Sequence, residues 1–156
     1  MLLSIDVGTS GVRASLFDER GNQVPSARAH SRRPISISNF GELYPNRLVN
    51  EVVDTIDRLP FNTKIDHIAI SAFWHSLIGV DSAGLPTTFL LTWADTRAAR
   101  FANDLRSQFN EAEIHARTGC RFHPSYWPAK LFWLKHEQTD QFNRTHYWLG
   151  FAEYLC

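Results

Sequence analysis

Leu3-Ser4-Ile5-Asp6-Val7-Gly8-Thr9-Ser10-Gly11-Val12-Arg13-Ala14-Ser15-Leu16 is the stretch on which the fold turns. Leu3, Ile5 and Val7 alternate with Leu2, Ser4 and Asp6, the period of a strand, and Gly8-Thr9-Ser10-Gly11 punctuates it. Val12, Ala14 and Leu16 then alternate again, opposite Arg13, Ser15 and Phe17, so the unit reads as a β-hairpin with a Gly-rich turn. No Lys-Ser or Lys-Thr follows the glycines, which excludes a Walker-type loop. A strand rather than a helix comes next, which excludes the Gly-x-Gly-x-x-Gly of dinucleotide folds. Gly8 and Gly11 allow close backbone approach, so amides can form a concavity for anionic oxygens. Thr9 and Ser10 add hydroxyl donors, and Arg13 can neutralise charge. Asp6 at the strand end suits a hydrated Mg²⁺, which needs only one or two protein carboxylates. The same residues also read as a tight turn whose Asp and Thr satisfy their own backbone. Spacing alone leaves both readings open.

Working outward, residues 18–22 read as a second turn and 23–28 as a third antiparallel strand, with residues 26–44 the most irregular stretch. Leu48, Val49, Val52, Val53 and Ile56 recur at helical spacing between Pro45 or Asn46 and Pro60. Ile68 and Ile70 mark a strand within 66–72, residues 77–81 another, and 82–86 a turn. An amphipathic stripe over 96–109 predicts a helix, with Asp95 a candidate N-cap. Asn110 with Glu113 resembles a capping box for a short helix ended by Gly119. Pro128 opens a helix containing Leu131, Phe132 and Leu134. Strands followed by alternating strands and helices imply an α/β fold, a mixed sheet flanked by helices. With no repeat or flexible linker, residues 1–156 read as one domain. The last five residues read as a helix just beginning, so the domain is expected to be incomplete.

Composition narrows the function classes. The 156 residues are 44% hydrophobic and 21% charged, which excludes disorder, and 16 basic against 16 acidic residues leave no net charge to favour a polyanion. No basic run interleaved with aromatics suggests nucleic acid, and Arg32-Arg33-Pro34 reads as a solvated loop. No spanning segment or signal peptide is visible, so the expectation is a cytoplasmic protein with no membrane partner. Cys120 and Cys156 have no second thiol at metal spacing and read as reduced.

The hairpin, with Leu16-Phe17-Asp18 after it, resembles the first phosphate motif of the actin, hexokinase and sugar kinase superfamily, whose fold is ribonuclease-H-like. Within it the chain is most similar to the FGGY carbohydrate kinases. Ile70-Ser71-Ala72-Phe73-Trp74-His75-Ser76, Gly79-Val80-Asp81, Gly84-Leu85-Pro86, Thr92-Trp93-Ala94-Asp95-Thr96-Arg97, and Thr118-Gly119-Cys120 through Tyr126-Trp127-Pro128-Ala129-Lys130-Leu131-Phe132-Trp133-Leu134 follow the family's order of elements. Glu42 and Pro45 sit where the family has an acid and a proline before the first helix. The Trp-His and Trp-Ala-Asp-Thr-Arg forms look most like the gluconokinase branch, with xylulokinase beside it.

The resemblance implies ATP and Mg²⁺ as cofactors and a sugar or sugar acid as acceptor. Asp6 would contact the metal through water, and Gly8, Thr9, Ser10 and Arg13 would surround the transferred phosphate. Trp74, His75, Trp93, Asp95 and Arg97 would line the acceptor, with Asp95 accepting from hydroxyls and Arg97 offering paired donors to a carboxylate. Tyr126 is a further acceptor contact. Plainer readings stand beside these: His75 as a bonded interior histidine, Asp95 and Arg97 as the start of a helix, Lys130 as a solvated first-turn charge. Trp127, Trp133 and Trp148 are assigned to packing. The family's general-base aspartate and adenosine site lie later in its sequences, so no catalytic residue is assigned and the chain is expected to be inactive alone. The alternatives are a non-catalytic interaction module, or one half of a split kinase, that self-associates or pairs with a missing C-terminal half. A ribonuclease-H-like nuclease needs clustered carboxylates that the sequence does not supply.

Overall fold

The computed structural model describes residues 1–33, 41–60 and 64–156. The element order is β1 (Leu2–Gly8), β2 (Gly11–Phe17), β3 (Gln23–His30), β4 (Glu42–Leu43), α1 (Pro45–Asp57), β5 (His67–Ala72), β6 (Ile78–Val80), β7 (Leu90–Leu91), α2 (Ala99–Gln108), α3 (Glu111–Thr118), α4 (Trp127–Glu137), α5 (Thr139–Arg144), β8 (Tyr147–Leu149) and α6 (Phe151–Leu155). The chain divides into two compact units that interleave in sequence. One takes Met1–Ser36, Tyr44–Phe73 and Phe151–Cys156, the other Ile37–Leu43 and Trp74–Gly150.

The first unit is a mixed sheet in the order β3-β2-β1-β5, β1 antiparallel to β2 and parallel to β5. The alternation read in the sequence is what the sheet uses: Leu3, Ile5 and Val7 face inward with Val12, Ala14 and Leu16, and Ala27 and Ala29 extend the same face on β3. Helix α1 contributes Leu48 and Val52 to this core, together with Thr55, whose buried hydroxyl donates to the Glu51 carbonyl at 2.7 Å. Its stripe is narrower than the spacing predicts, because Val53 is exposed. Phe151 of α6 stacks on Phe73.

In the second unit, α2 and α4 pack Ala98, Phe101, Ala102 and Leu105 against Ala129, Trp133 and Leu134, with Leu77 and Leu91 completing the core. Antiparallel pairs β4–β7 and β6–β8 border it. Asn110 caps α3 through its side chain, accepting from the Ala112 and Glu113 amides, and Gly119 ends that helix in the left-handed conformation, as the spacing predicts. Helix α2 starts later than its apolar stripe suggests: its N-cap is Ala98, so Asp95 does not cap it. Of the stretch 26–44, residues 26–30 extend β3, residues 42–43 form β4, and 34–40 lie outside the described residues. Both cysteines are free and exposed, and no helix among the described residues is long and apolar enough to cross a membrane.

Gly11 is required by contact. A Cβ there would lie 2.2 Å from the Ser31 carbonyl oxygen, a main-chain atom that cannot step aside. Gly21 meets nothing within 4 Å and is strained only by its φ of +79°. Gly11→Ala therefore costs at least about 2 kcal/mol through overpacking, and Gly21→Ala about 1 kcal/mol through left-handed strain. Urea midpoints of the two variants rank them, and an equal loss would contradict the contact.

Candidate functional site

In the first unit, β1 and β2 place Asp6 and Arg13 directly opposite each other, on the sheet face away from the core. Arg13 Nη1 donates to Asp6 Oδ2 at 2.7 Å, with both side chains about half exposed. Such a pair contributes about 0–1 kcal/mol, so either partner is readily redirected. The turn between the strands is fixed from behind by Arg33. Its Nη1 donates to the Thr9 carbonyl at 2.9 Å and, more weakly, to the Gly8 carbonyl at 3.4 Å, and its main-chain amide donates to the Ser10 carbonyl at 2.7 Å. In a trans peptide the C=O and N–H point in opposite directions. Carbonyls drawn to Arg33 therefore turn the Thr9 and Ser10 amides outward, and neither amide nor hydroxyl of these two residues has a partner among the described residues. Glu51 of α1 anchors the arrangement by accepting from Arg33 Nε at 2.7 Å and from the Ser31 hydroxyl.

This corrects the reading of Arg33 as solvated: its side chain is 15% exposed and internal to the site. Pro34 lies outside the described residues. Gly11 is pressed against the Ser31 backbone, so its missing side chain makes room for the segment after β3. Asp6 Oδ1 carries no bond among the described residues, and a half-exposed carboxylate on the strand that leads into the turn is an oxygen donor that fits a water-coated Mg²⁺. No group of three or more His, Cys, Asp or Glu able to hold a metal gathers among the described residues.

In the second unit the predicted acceptor residues fall on two loops, 74–76 and 92–97. Trp74 is 80% exposed and Trp93 51%, unusual for indoles in a unit whose core is aromatic. His75 is the only described non-glycine residue besides Ser26 with positive φ, at 61°. Its ring lies 4.5 Å from that of Tyr126 and 6.1 Å from that of Trp74. Burial, then the Lys130 charge, then His123, pull the His75 pKa below its usual 6.5, so the ring is neutral at pH 7. A cavity of about 330 Å³ adjoins it, walled in part by Phe122, His123 and Tyr126.

Asp95 and Arg97 sit behind this surface. Asp95 is 2% exposed and accepts from Arg97 Nη2 at 2.6 Å, from Nε, and from the Arg97 amide at 3.0 Å. The same Nη2 reaches Glu42 Oε1 at 2.5 Å, and the guanidinium carbon lies 4.3 Å over the Trp133 ring. Burial opposes the Arg97 charge, but the bonds to Asp95 and Glu42 outweigh it and hold the guanidinium above the usual arginine range. Lys130 is 1% exposed, not the solvated charge its first-turn position suggests. Its Nζ donates to the His75 carbonyl at 2.6 Å and the Thr92 carbonyl at 2.8 Å, bringing the two loops to one atom. The signal was present in the spacing, since Lys130 shares a helix face with Trp133 and Leu134. Ser125 adds a bond from its hydroxyl to the Trp93 carbonyl at 2.7 Å.

Three comparisons bear on what these arrangements serve. The family model described as the FGGY family of carbohydrate kinases, N-terminal domain, matches residues 1–156. The gluconokinase of Bacillus subtilis (strain 168) is 28% identical over 99% of this chain, which covers 31% of that protein. Among solved structures, gluconate kinase from Lactobacillus acidophilus superposes with a TM-score of 0.89 at 31% identity, over 99% of this chain and 32% of that one. The ligand-bound xylulose kinase of the same organism gives a TM-score of 0.87 at 31% identity, over the same shares. The chain thus spans about a third of the length of the relatives it matches.

Removing the Arg97 guanidinium while keeping its length leaves the Asp95 carboxylate buried and unpaired. Arg97→Met is expected to cost about 3 kcal/mol, with part of the loss recovered by adding Asp95→Asn. Equilibrium urea unfolding of the two variants measures both, and a single variant as stable as wild type would show the pair to be ornamental.

Proposed function

Because the chain belongs to the FGGY family of carbohydrate kinases, we propose that it supplies the phosphate- and sugar-recognising portion of an ATP-dependent kinase whose acceptor is a sugar acid of the gluconate type. The observation that carries this reading is the pair of exposed indoles, Trp74 and Trp93, on loops whose carbonyls a single buried ammonium gathers. Indole faces cover the apolar face of a polyol while polar groups meet its hydroxyls. Neutral His75 offers one donor and one acceptor, and Tyr126, whose ring lies against it, adds a phenol. Asp95 and Arg97 serve the acceptor indirectly. Their bonding capacity is directed to each other and to Glu42, so they fix the loop that carries Trp93. The names of the relatives, gluconokinase and gluconate kinase, support an acid as the acceptor.

At the hairpin, the outward Thr9 and Ser10 amides and hydroxyls receive oxygens of the transferred phosphate, Gly8 leaves the approach open, and Arg13 turns from Asp6 toward the added charge. Asp6 would hold Mg²⁺ through water, and the metal would supply charge neutralisation at the phosphates. Asp95 of the 92–97 loop and Glu42 of β4 are both bonded to Arg97, so neither is assigned as the group that activates an acceptor hydroxyl. General-base help contributes roughly 10²- to 10⁴-fold. These 156 residues by themselves accordingly bind and do not transfer. The setting expected for such a kinase is the cytoplasm.

A second reading has its own support. Strand β5 leaves Ile68 61% and Ile70 38% exposed at the edge of the described sheet. This surface fits further polypeptide of the kind that makes up about two thirds of the relatives' length, so pairing with a partner that carries it is the second reading.

Titration calorimetry of the 156-residue chain with gluconate, xylulose and glycerol tests the first reading. Gluconate is expected to bind most tightly, and Trp74→Ala and Trp93→Ala each to weaken it about tenfold, or about 1.4 kcal/mol. Heat with none of the three would overturn the acceptor assignment. Sugar phosphate formed by this chain from ATP, Mg²⁺ and gluconate would overturn its incompleteness.

A further inference from the structure

A buried lysine normally meets a carboxylate. Lys130 instead donates to two main-chain carbonyls, His75 at 2.6 Å and Thr92 at 2.8 Å, while Asp95 is committed to Arg97. One of those carbonyls belongs to the residue held at a positive φ of 61°. A histidine there is strained and persists only where the surroundings impose it. Trp127 Nε1, one turn away on the same helix, donates to the next carbonyl, Ser76, at 2.8 Å, so α4 grips the 74–76 loop at two successive peptides.

We propose that Lys130 is a positioning residue for the acceptor: its charged ammonium ties the loop carrying Trp74 and His75 to the loop carrying Trp93, and sugar affinity depends on that tie. The proposal rests on the acceptor reading above and deepens it by naming what fixes the acceptor face. Charged or titratable groups face this ammonium from several elements. Asp95 and Arg97 lie before α2, with Glu42 of β4 reaching Arg97, and His75 lies on the loop after β5, influenced in turn by His123. Burial lowers the Lys130 pKa from 10.5 to about 8, with Asp95 opposing the shift and Arg97 adding to it.

This supplies a signature that a merely structural lysine would lack. Between about pH 8 and 10.5 the unfolded chain binds the proton that the folded chain has released, so the Lys130 contribution to stability rises with pH across that window. Over the same window the ammonium that ties the loops is lost, so sugar affinity falls. Stability and affinity move in opposite directions.

The test measures gluconate binding by calorimetry and amide hydrogen exchange by mass spectrometry for the 156-residue chain, wild type and Lys130→Met, at pH 7 and 9.5. Wild type is expected to lose about tenfold in affinity between the two pH values. K130M is expected to bind at least tenfold more weakly at pH 7, to show no further pH dependence, and to exchange faster only across 74–76 and 92–95. K130M binding within twofold of wild type, or wild-type affinity flat with pH, would overturn the role. If no sugar binds to wild type but exchange in K130M quickens at those two loops alone, the acceptor reading falls and the tie itself stands. Unchanged exchange there sinks the tie whatever binds. Should K130M not fold, the wild-type pH series decides by itself.

Discussion

In both units a cation inside the protein donates to main-chain carbonyls, and the rest of each site depends on the direction this imposes. Arg33 draws the Gly8 and Thr9 carbonyls inward, and because the peptide is trans, the Thr9 and Ser10 amides that follow them turn outward. Lys130 draws the His75 and Thr92 carbonyls to one nitrogen, and the side chains of Trp74 and Trp93 are left on the surface. A loop without such a tie would satisfy its carbonyls with water and sample many orientations of the groups opposite them.

The strength of the ion pairs is graded accordingly. The front pair, Asp6 with Arg13, is half exposed and weak, which suits the phosphate contact proposed for it. The pairs behind are sheltered: Arg33 with Glu51 at 15% and 20% exposure, Arg97 with Asp95 at 24% and 2%. Losing one partner of a sheltered pair leaves a charge in low dielectric, so these pairs hold geometry rather than exchange it. Asp95 and Arg97 fall in this second class by burial and bonding although their residue types suit ligand contact equally well, and the bonds to each other and to Glu42, with the place over Trp133, favour the holding role proposed for them.

Much of this was legible in the chain. The hairpin, β3, α1 and the Asn110-to-Gly119 helix follow from period and capping, because strands and helices print their periods and turns require particular residues. Strand β6 was legible within 77–81, but its partner β8 and the pair β4–β7 were not, since strands of two or three residues are too short to show any period. The division into two units left no mark in composition, because each unit is assembled from separated segments. Alternation put Asp6 and Arg13 on the polar positions of the hairpin, but that they face each other depends on the register of the turn, which alternation does not fix. Arg33 was not legible, because its partners are main-chain carbonyls, which are the same at every position and carry no residue code. Lys130 lay between: its place on the apolar face of α4 announced burial, while its partners again were carbonyls.

The charge on Lys130 is where fold and function separate most clearly. Moving a lysine pKa from 10.5 to about 8 corresponds to about 3 kcal/mol by which the surroundings, burial first and Arg97 with it against Asp95, disfavour the protonated form. A methionine of similar length would pack against Trp133 and Leu134 without that cost, so burial of the stem does not account for the amine. What accounts for it is the convergence of two carbonyls on one point. An ammonium is compact and directs three donors from a single atom, whereas a guanidinium spreads its donors along a planar fork. The division of labour follows from shape: Arg97 bridges two separated carboxylates, Asp95 and Glu42, and Lys130 gathers two loops to a single nitrogen.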